Sequence, residues 1–262
     1  MKRLGALAGA TYAFIVYAFI FLPVVVLILF SFQDGVIPVP PFRGATLRWY
    51  ESLFANERLM SALRNSVLVG LAAAAIATAL GFLAAYGVAR YRPAAGRVLR
   101  AGLMTPLAVS YLVIGLGLSI GFNELGVARS LAQVTVGHVV INLPLAFAVI
   151  LSQMSEEQAH MEKAGRDLGA SEPRVLALIS VPMLLPGLLA AFVLSFTLSW
   201  DEFVIALLLT RFDVTLPVEI WSALRTGLDP ETNAVGSLVF GLSVGLLVAT
   251  YAVLARLSRR TR

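Results

Sequence analysis

The chain has 262 residues, 59% of them hydrophobic and only 13% charged, with a net charge of +5 and no cysteine; its mean hydropathy is +0.86. Ordinary soluble domains carry about 25% charged residues, so a water-soluble globular fold is excluded at the outset. The charges are also clustered, and they leave six long uncharged intervals: Leu4–Gln33, Asn65–Ala89, Ala101–Asn123, Ser130–Ser155, Val175–Trp200 and Thr232–Ala255. Each exceeds the roughly 20 apolar residues that cross a bilayer as a helix. Backbone groups in hydrocarbon must pair within their own segment, so the intervals are helices. The fold class is an all-α integral membrane protein with six transmembrane helices, read as a single domain over residues 1–262.

Lys2 and Arg3 open the chain before the first interval. A cleavable leader has an apolar region of about 7–15 residues, so the longer run here is expected to stay as a first span. Asp34 to Arg64 contains Pro38, Pro40 and Pro41 and reads as a loop, with a short interfacial helix around Trp49 and Tyr50. Span two is rich in Gly70, Ala72–Ala75, Ala77, Ala79, Gly81, Ala84 and Ala85, small residues that let helix backbones approach closely. It closes on the basic turn Arg90-Tyr91-Arg92-Pro93. Span three carries Pro106, Gly115, Gly117 and Gly121 and is expected to be kinked or broken.

Span four carries His138, Asn142 and Pro144. An ionisable group at membrane depth is costly and invites a proton-relay reading. The plainer reading, an imidazole bonded to a neighbouring helix, is favoured for His138. His160, the other histidine, has no metal-type partner near it in sequence.

Between spans four and five the chain reads SEEQAHMEKAGRDLGASEPRVLALISVPMLLP, from Ser155 to Pro186. Ser155 followed by Gln158 is a capping-box pattern, which starts a helix at Glu156. Gly169 can take the left-handed conformation that ends it. Ser171 with Pro173 then reads as the cap and first turn of a second helix. A featureless hydrophilic loop would need none of these signals, so the stretch of about 153–183 reads as a docking helix–turn–helix.

Positive residues are retained on the cytoplasmic side. With the N-terminus inside, the inner segments hold Lys2, Arg3, Arg90, Arg92, Arg97, Arg100, Lys163, Arg166, Arg174, Arg256, Arg259, Arg260 and Arg262, thirteen of the twenty basic residues. Both termini and the hairpin are therefore expected in the cytoplasm. The net charge follows from this topology and calls for no nucleic acid.

Catalytic signatures are missing from the sequence. It has no GxxxxGK[ST] loop for ATP, no HExxH or Cys/His cluster for a metal, and no GxSxG elbow. An enzyme is not expected, nor a metal site or a cofactor on this chain. What remains in the apolar part is the acidic pair Asp201-Glu202 after Trp200, followed by the apolar run Phe203–Leu209. On a helix continuing from Pro186 the pair would lie ~24 Å along, and adjacent positions point about 100° apart. One carboxylate is therefore expected to face a cavity while the other caps, snorkels or pairs with an Arg from another helix, and two readings stand: Trp200, Asp201 and Glu202 line a cation path, or the pair is structural.

Gly169 followed after nine residues by Ile179-Ser180-Val181-Pro182 resembles the "EAA" loop of ABC-transporter permeases of the binding-protein-dependent importer family. The stretch Arg166-Asp167-Leu168-Gly169-Ala170-Ser171 and the spacing of Pro182 and Pro186 fit that pattern. The first half departs from it: the Glu-Ala-Ala positions fall on Lys163-Ala164-Gly165, with Glu162 displaced by one. Within the family the sequence is similar to the second permease of spermidine/putrescine-type importers. That likeness is carried by Ser31-Phe32, Trp49-Tyr50, Asn65-Ser66, Arg90-Tyr91-Arg92, Leu143-Pro144 and Ser195–Ser199 before the acidic pair.

The resemblance implies a type I importer permease in a bacterial inner membrane. It implies a second homologous permease, two copies of an ATPase subunit that hold ATP and Mg, and an extracytoplasmic solute-binding protein. Glu162, Lys163, Ala164, Gly165, Asp167, Gly169, Ala170, Ile179 and Pro182 would then form the coupling loop to the ATPase. Polyamines are the expected solute, with iron, thiamine, opines or amino-acid derivatives as the alternative. An ion-coupled secondary transporter is the rival of a different class; it would need no docking loop and often shows inverted repeats, and no clear internal repeat is present.

Overall fold

Long apolar runs broken by charged turns give helices throughout. The computed structural model describes residues 2–35, 40–91, 94–226 and 230–260; Pro38, Arg92, Pro93 and Arg262, invoked above, lie outside them. Among the described residues there is no strand, only an isolated bridge between Gln33 and Ala45. The helices are α1 (Lys2–Ser31), α2 (Arg48–Ala55), α3 (Glu57–Tyr86), α4 (Gly96–Met104), α5 (Tyr111–Glu124), α6 (Leu131–Gln153), α7 (Glu156–Asp167), α8 (Glu172–Val175), α9 (Val181–Trp200), α10 (Val204–Leu209), α11 (Leu216–Thr226) and α12 (Pro230–Arg260). Two π-helical turns extend them: Gly87–Tyr91 follows α3, and Leu176–Ser180 joins α8 to α9.

Among the described residues five helical stretches are long and apolar enough to cross a membrane: Gly9–Ser31, Glu57–Tyr91, Leu131–Gln153, Glu172–Trp200 and Glu231–Val248. The third span is broken, as expected. Instead of one helix over Ala101–Asn123 there is a pair, Gly96–Ala108 and Tyr111–Glu124, bent by 103°. Pro106 is the cause. Lacking an N–H, it cannot continue the α-ladder, and the chain tightens into a 3₁₀ turn over Thr105–Ala108. Val109 (φ −108°, ψ 137°) and Ser110 (φ −61°, ψ 138°) are then extended before α5 begins. Counted as one broken span, the pair brings the total to six.

The chain divides into two compact units. One comprises Met1–Met60 and Glu219–Leu246. In it α2 is the short helix expected around Trp49 and Tyr50, and it is tied to the end of α1. Trp49 Nε1 donates to the Gln33 carbonyl at 2.8 Å, and the Ser31 and Tyr50 hydroxyls are 2.8 Å apart.

The other unit comprises Ser61–Val218 and Leu247–Arg262. Phe82, Ala85, Tyr86 and Val88 pack there against Ala146, Phe147 and Ile150 of α6 and Leu184 and Ala191 of α9. The small residues of span two serve this contact. A Cβ on Gly81 would lie 2.9 Å from the backbone nitrogen of Phe147, so α3 and α6 touch backbone to backbone, the approach that glycine and alanine permit in a membrane. A second cluster joins Val69, Val134 and Ile141 to Ile205, Ala206 and Leu209 of α10 and to Val218.

Candidate functional site

The hairpin after α6 forms as its local signals require. Ser155 caps α7: its hydroxyl accepts from the Gln158 N–H at 3.2 Å, and the Gln158 side chain accepts from the Ser155 N–H at 3.2 Å. At the other end Gly169 has φ +88°. Its N–H donates to the Arg166 carbonyl, and the Ala170 N–H donates to that of Gly165. This pairing is a Schellman closure, and it needs a residue that accepts the left-handed region without strain. Ser171 stands at the start of α8 with Pro173 in the first turn, but its side chain makes no capping bond.

The second helix of the hairpin is not a separate piece that turns back before span five. Glu172 through Trp200 is one membrane-length stretch, so the hairpin's second arm is the span itself.

Glu162 is the centre of the arrangement. It is fully buried, and its carboxylate accepts from Arg90 Nε at 2.8 Å, Arg90 Nη2 at 3.2 Å, the Ser180 hydroxyl at 2.9 Å and the Tyr86 hydroxyl at 3.4 Å. Arg90 also donates to the carbonyl of Ser155, the α7 cap, at 3.3 Å. Nearby, Arg166 donates to the Tyr86 hydroxyl at 2.9 Å and pairs with Glu172 at 2.7 Å. The bond to Glu172 holds the Arg166 guanidinium above its ordinary value, so it is charged at any physiological pH.

One buried carboxylate thus ties α7 to the end of span two and to the beginning of span five. The two π turns supply Arg90 and Ser180 to it. Single π turns of this kind occur where a helix must present side chains out of its ordinary register.

The opposite face of the hairpin is open. Lys163, Ala164, Asp167 and Gly169 are exposed, as is Pro182; Gly165, Ala170 and Ile179 are half-buried. Gly165 lets α7 rest against Ile179, whose Cδ1 would lie 2.6 Å from a Cβ there. Met161, Ala164 and Leu168 follow one helical face at spacings of three and four, and all three are exposed; Leu168 is 90% so. The candidate loop residues therefore separate into an inner member, Glu162, and an outer, apolar-edged set. Sequence reading missed Tyr86, Arg90 and Ser180 as its partners, and Glu172 as the partner of Arg166. The available signal was Gln158 and Glu162 at helical spacing, a polar pair on the face that both become buried.

The acidic pair lies elsewhere than expected. Span five does not continue through it: α9 ends at Trp200, Asp201 is its cap residue, and α10 starts only at Val204. Glu202 is the reason α10 can form in an apolar setting. Its carboxylate accepts from the N–H groups of Val204 (2.9 Å), Ile205 (2.9 and 3.1 Å) and Ala206 (3.2 Å). Such donors have no partner within a helix's own first turn, and an acid at the N-terminus also meets the positive end of the helix dipole.

Glu202 is 6% exposed, and His138 Nε2 approaches it at 3.4 Å. His138 Nδ1 shares a hydrogen bond with Ser199, the inter-helix bond favoured for this imidazole. Asp201, by contrast, is exposed, while Trp200 beside it is buried. The pair is divided: Glu202 is committed to backbone donors and Asp201 keeps a free face.

The hairpin is thus a capped, charge-locked connection between two membrane-length helical stretches. Residues 77–262 match the family described as "binding-protein-dependent transport system inner membrane component", and the chain belongs to that family, the permeases of ABC importers. It is 30% identical to the spermidine/putrescine transport system permease protein PotC of Haemophilus influenzae, over 92% of this chain and 94% of that one. It is 31% identical to the putrescine transport system permease protein PotI of Escherichia coli, over 94% and 90% respectively. The fold is shared with a chain of a bacterial ABC transporter that imports the acidic polysaccharide alginate. That match has a TM-score of 0.72 at 17% identity and covers 97% of this chain and 96% of the other.

Proposed function

We propose that this chain forms half of the solute path of an ATP-driven polyamine importer, with the α7 hairpin as its contact to a separate ATPase subunit. The observation that carries the coupling role is the two-sided hairpin. Its inner face is locked to two spans through Glu162, and its outer face presents Met161, Ala164 and Leu168. An apolar edge at i, i+3 and i+7 is what a helix lays into a partner's groove. Binding and hydrolysis of Mg-ATP take place on the partner, and the movement enters this chain as a displacement of α7. A second, similar permease completes the path, and an extracytoplasmic solute-binding protein delivers the solute. The distribution of Lys and Arg supports both termini and the hairpin on the cytoplasmic side.

The solute assignment is supported by the PotC and PotI relatives and by the free carboxylate of Asp201 beside Trp200. An ammonium entering a low-dielectric path unpaired is costly, and an exposed carboxylate offsets that cost. Uptake of labelled putrescine and spermidine into cells expressing the complete transporter tests it, with amino acids, thiamine and ferric iron as competitors. Only polyamines are expected to compete, and Asp201→Asn is expected to lower uptake at least tenfold at normal membrane levels. Transport of a competitor in place of polyamines would discard the solute and leave the permease standing.

Gly169→Val tests the coupling. A β-branched residue at φ +88° is strained by roughly 1–2 kcal/mol, and the Schellman closure opens. The variant should insert normally yet separate ATP hydrolysis from uptake. Wild-type uptake would refute the coupling role of the hairpin.

A further inference from the structure

The unit built from Met1–Met60 and Glu219–Leu246 contains a cavity of about 150 Å³ that none of the foregoing uses. Two carboxylates line it, Glu219 and Glu231, together with Asn56, Thr232 and the apolar side chains of Leu59 and Val235. Both acids stand in the first turns of their helices, Glu219 in α11 and Glu231 in α12. Their surroundings differ. Glu231 is satisfied: one oxygen accepts from the Ser52 hydroxyl at 3.0 Å and the other from the Asn56 amide at 3.2 Å. Glu219 is only half satisfied. Its Oε1 pairs with Arg58 Nε at 2.9 Å, while Oε2 is buried without a hydrogen-bond partner, on a residue only 8% exposed.

Among the described residues that line the cavity or pair with its lining, two carboxylates and one guanidinium leave a net charge of −1. A buried carboxylate oxygen without a donor is strongly disfavoured, so the site selects a ligand that brings both positive charge and N–H groups. A divalent metal fits poorly: calcium takes six to eight oxygens and magnesium a strict octahedron, whereas both oxygens of Glu231 already hold donors and Glu219 is already paired once. A primary ammonium fits on each count. It carries one charge and three donors, and Leu59 and Val235 offer apolar wall to the methylenes behind it. The cavity is well below the roughly 300–1,000 Å³ of sites that enclose a drug-sized molecule, so it takes one end of a chain.

We propose that the Glu219–Glu231 cavity binds the terminal ammonium of a linear alkylamine, with the Glu219 carboxylate as the principal acceptor. The identity of the amine as a polyamine rests on the function proposed above; the cavity's preference for a primary ammonium does not.

The chain has no cysteine, so Ala223→Cys places a single thiol on this chain at the cavity wall. In the assembled transporter, maleimide labelling of that thiol should be slowed by putrescine and, at higher concentration, by methylammonium, but not by sodium at equal ionic strength. Adding Glu219→Gln should raise the half-protecting putrescine concentration at least tenfold. In the cysteine-free protein, Glu219→Gln alone should raise the putrescine KM at least tenfold with maximal rate within twofold of wild type. Unchanged protection, or an unchanged KM at normal membrane level, overturns the site. Labelling needs no turnover, so protection in a protein that imports no polyamine discards the solute reading and supports the ammonium site. Polyamine uptake with no protection does the reverse.

Discussion

Arg90→Met should destabilise the hairpin by about 3–5 kcal/mol, the usual consequence of removing one member of a buried ion pair. Glu162 is 1% exposed at its side chain and Arg90 only 12%. Two of the four donors to the carboxylate come from that one guanidinium, and the remaining Ser180 and Tyr86 hydroxyls cannot neutralise it. The charge would then draw water into the contact between α7 and the two spans. Glu162→Leu should be as damaging from the other side, because it strands Arg90. The double variant Arg90→Met/Glu162→Leu removes both charges and should recover most of the loss, as replaced buried pairs commonly do.

The measurement is a double-mutant cycle on unfolding of the reconstituted protein, with ATPase copurification and uptake beside it. A strongly positive coupling is expected between two residues in direct contact. Recovery of stability without recovery of uptake would show the pair acting in the transport cycle beyond its structural role. An Arg90→Met protein as stable as wild type would remove the clamp from the account.

Glu202→Ala should be the second severe change, and its neighbour should be harmless to the fold. The carboxylate of Glu202 closes the N-terminus of α10, a helix of only six residues whose Ile205, Ala206 and Leu209 are fully buried. Truncation leaves the N–H groups of Val204, Ile205 and Ala206 without an acceptor, at about 1–3 kcal/mol for each group that water cannot reach. Glu202→Gln keeps one acceptor oxygen and should lose less. Asp201→Asn, on an exposed side chain, should stay within about 0.5 kcal/mol of wild type while uptake falls. Thermal unfolding in detergent separates the three. Equal tolerance of Glu202→Ala and Asp201→Asn would contradict the division of the pair.

The features legible in the sequence are those governed by neighbours a few residues apart. Ser155 and Gln158 cap each other, Gly169 needs only its own φ, and five of the six apolar intervals became single membrane-length helices. Pro106 announced a break in the third, though not a bend of 103°. The rest depended on distance along the chain. Glu162 meets Arg90 from 72 positions away and Ser180 from 18, and nothing local marks either as its partner. Asp201-Glu202 misled for a related reason. An apolar run on both sides reads as one continuing helix, whereas Glu202, by accepting from backbone donors ahead of it, starts a new one. The offset of the family's glutamate by one position looked like a departure; the buried contacts of Glu162 show that this position carries the carboxylate the hairpin uses.

The two π turns have a consequence for how this chain can change length. A π turn holds one residue more than the α-turn it replaces, and each residue rotates the remainder of a helix by about 100°. Deleting one residue within Gly87–Tyr91 or within Leu176–Ser180 would let the local helix relax into ordinary geometry, a change that composition and hydropathy would not register. It would also swing Arg90 or Ser180 off the Glu162 carboxylate. Both turns therefore behave as reading-frame marks: the residue count up to Arg90 and Ser180 is fixed by the contact each makes with Glu162.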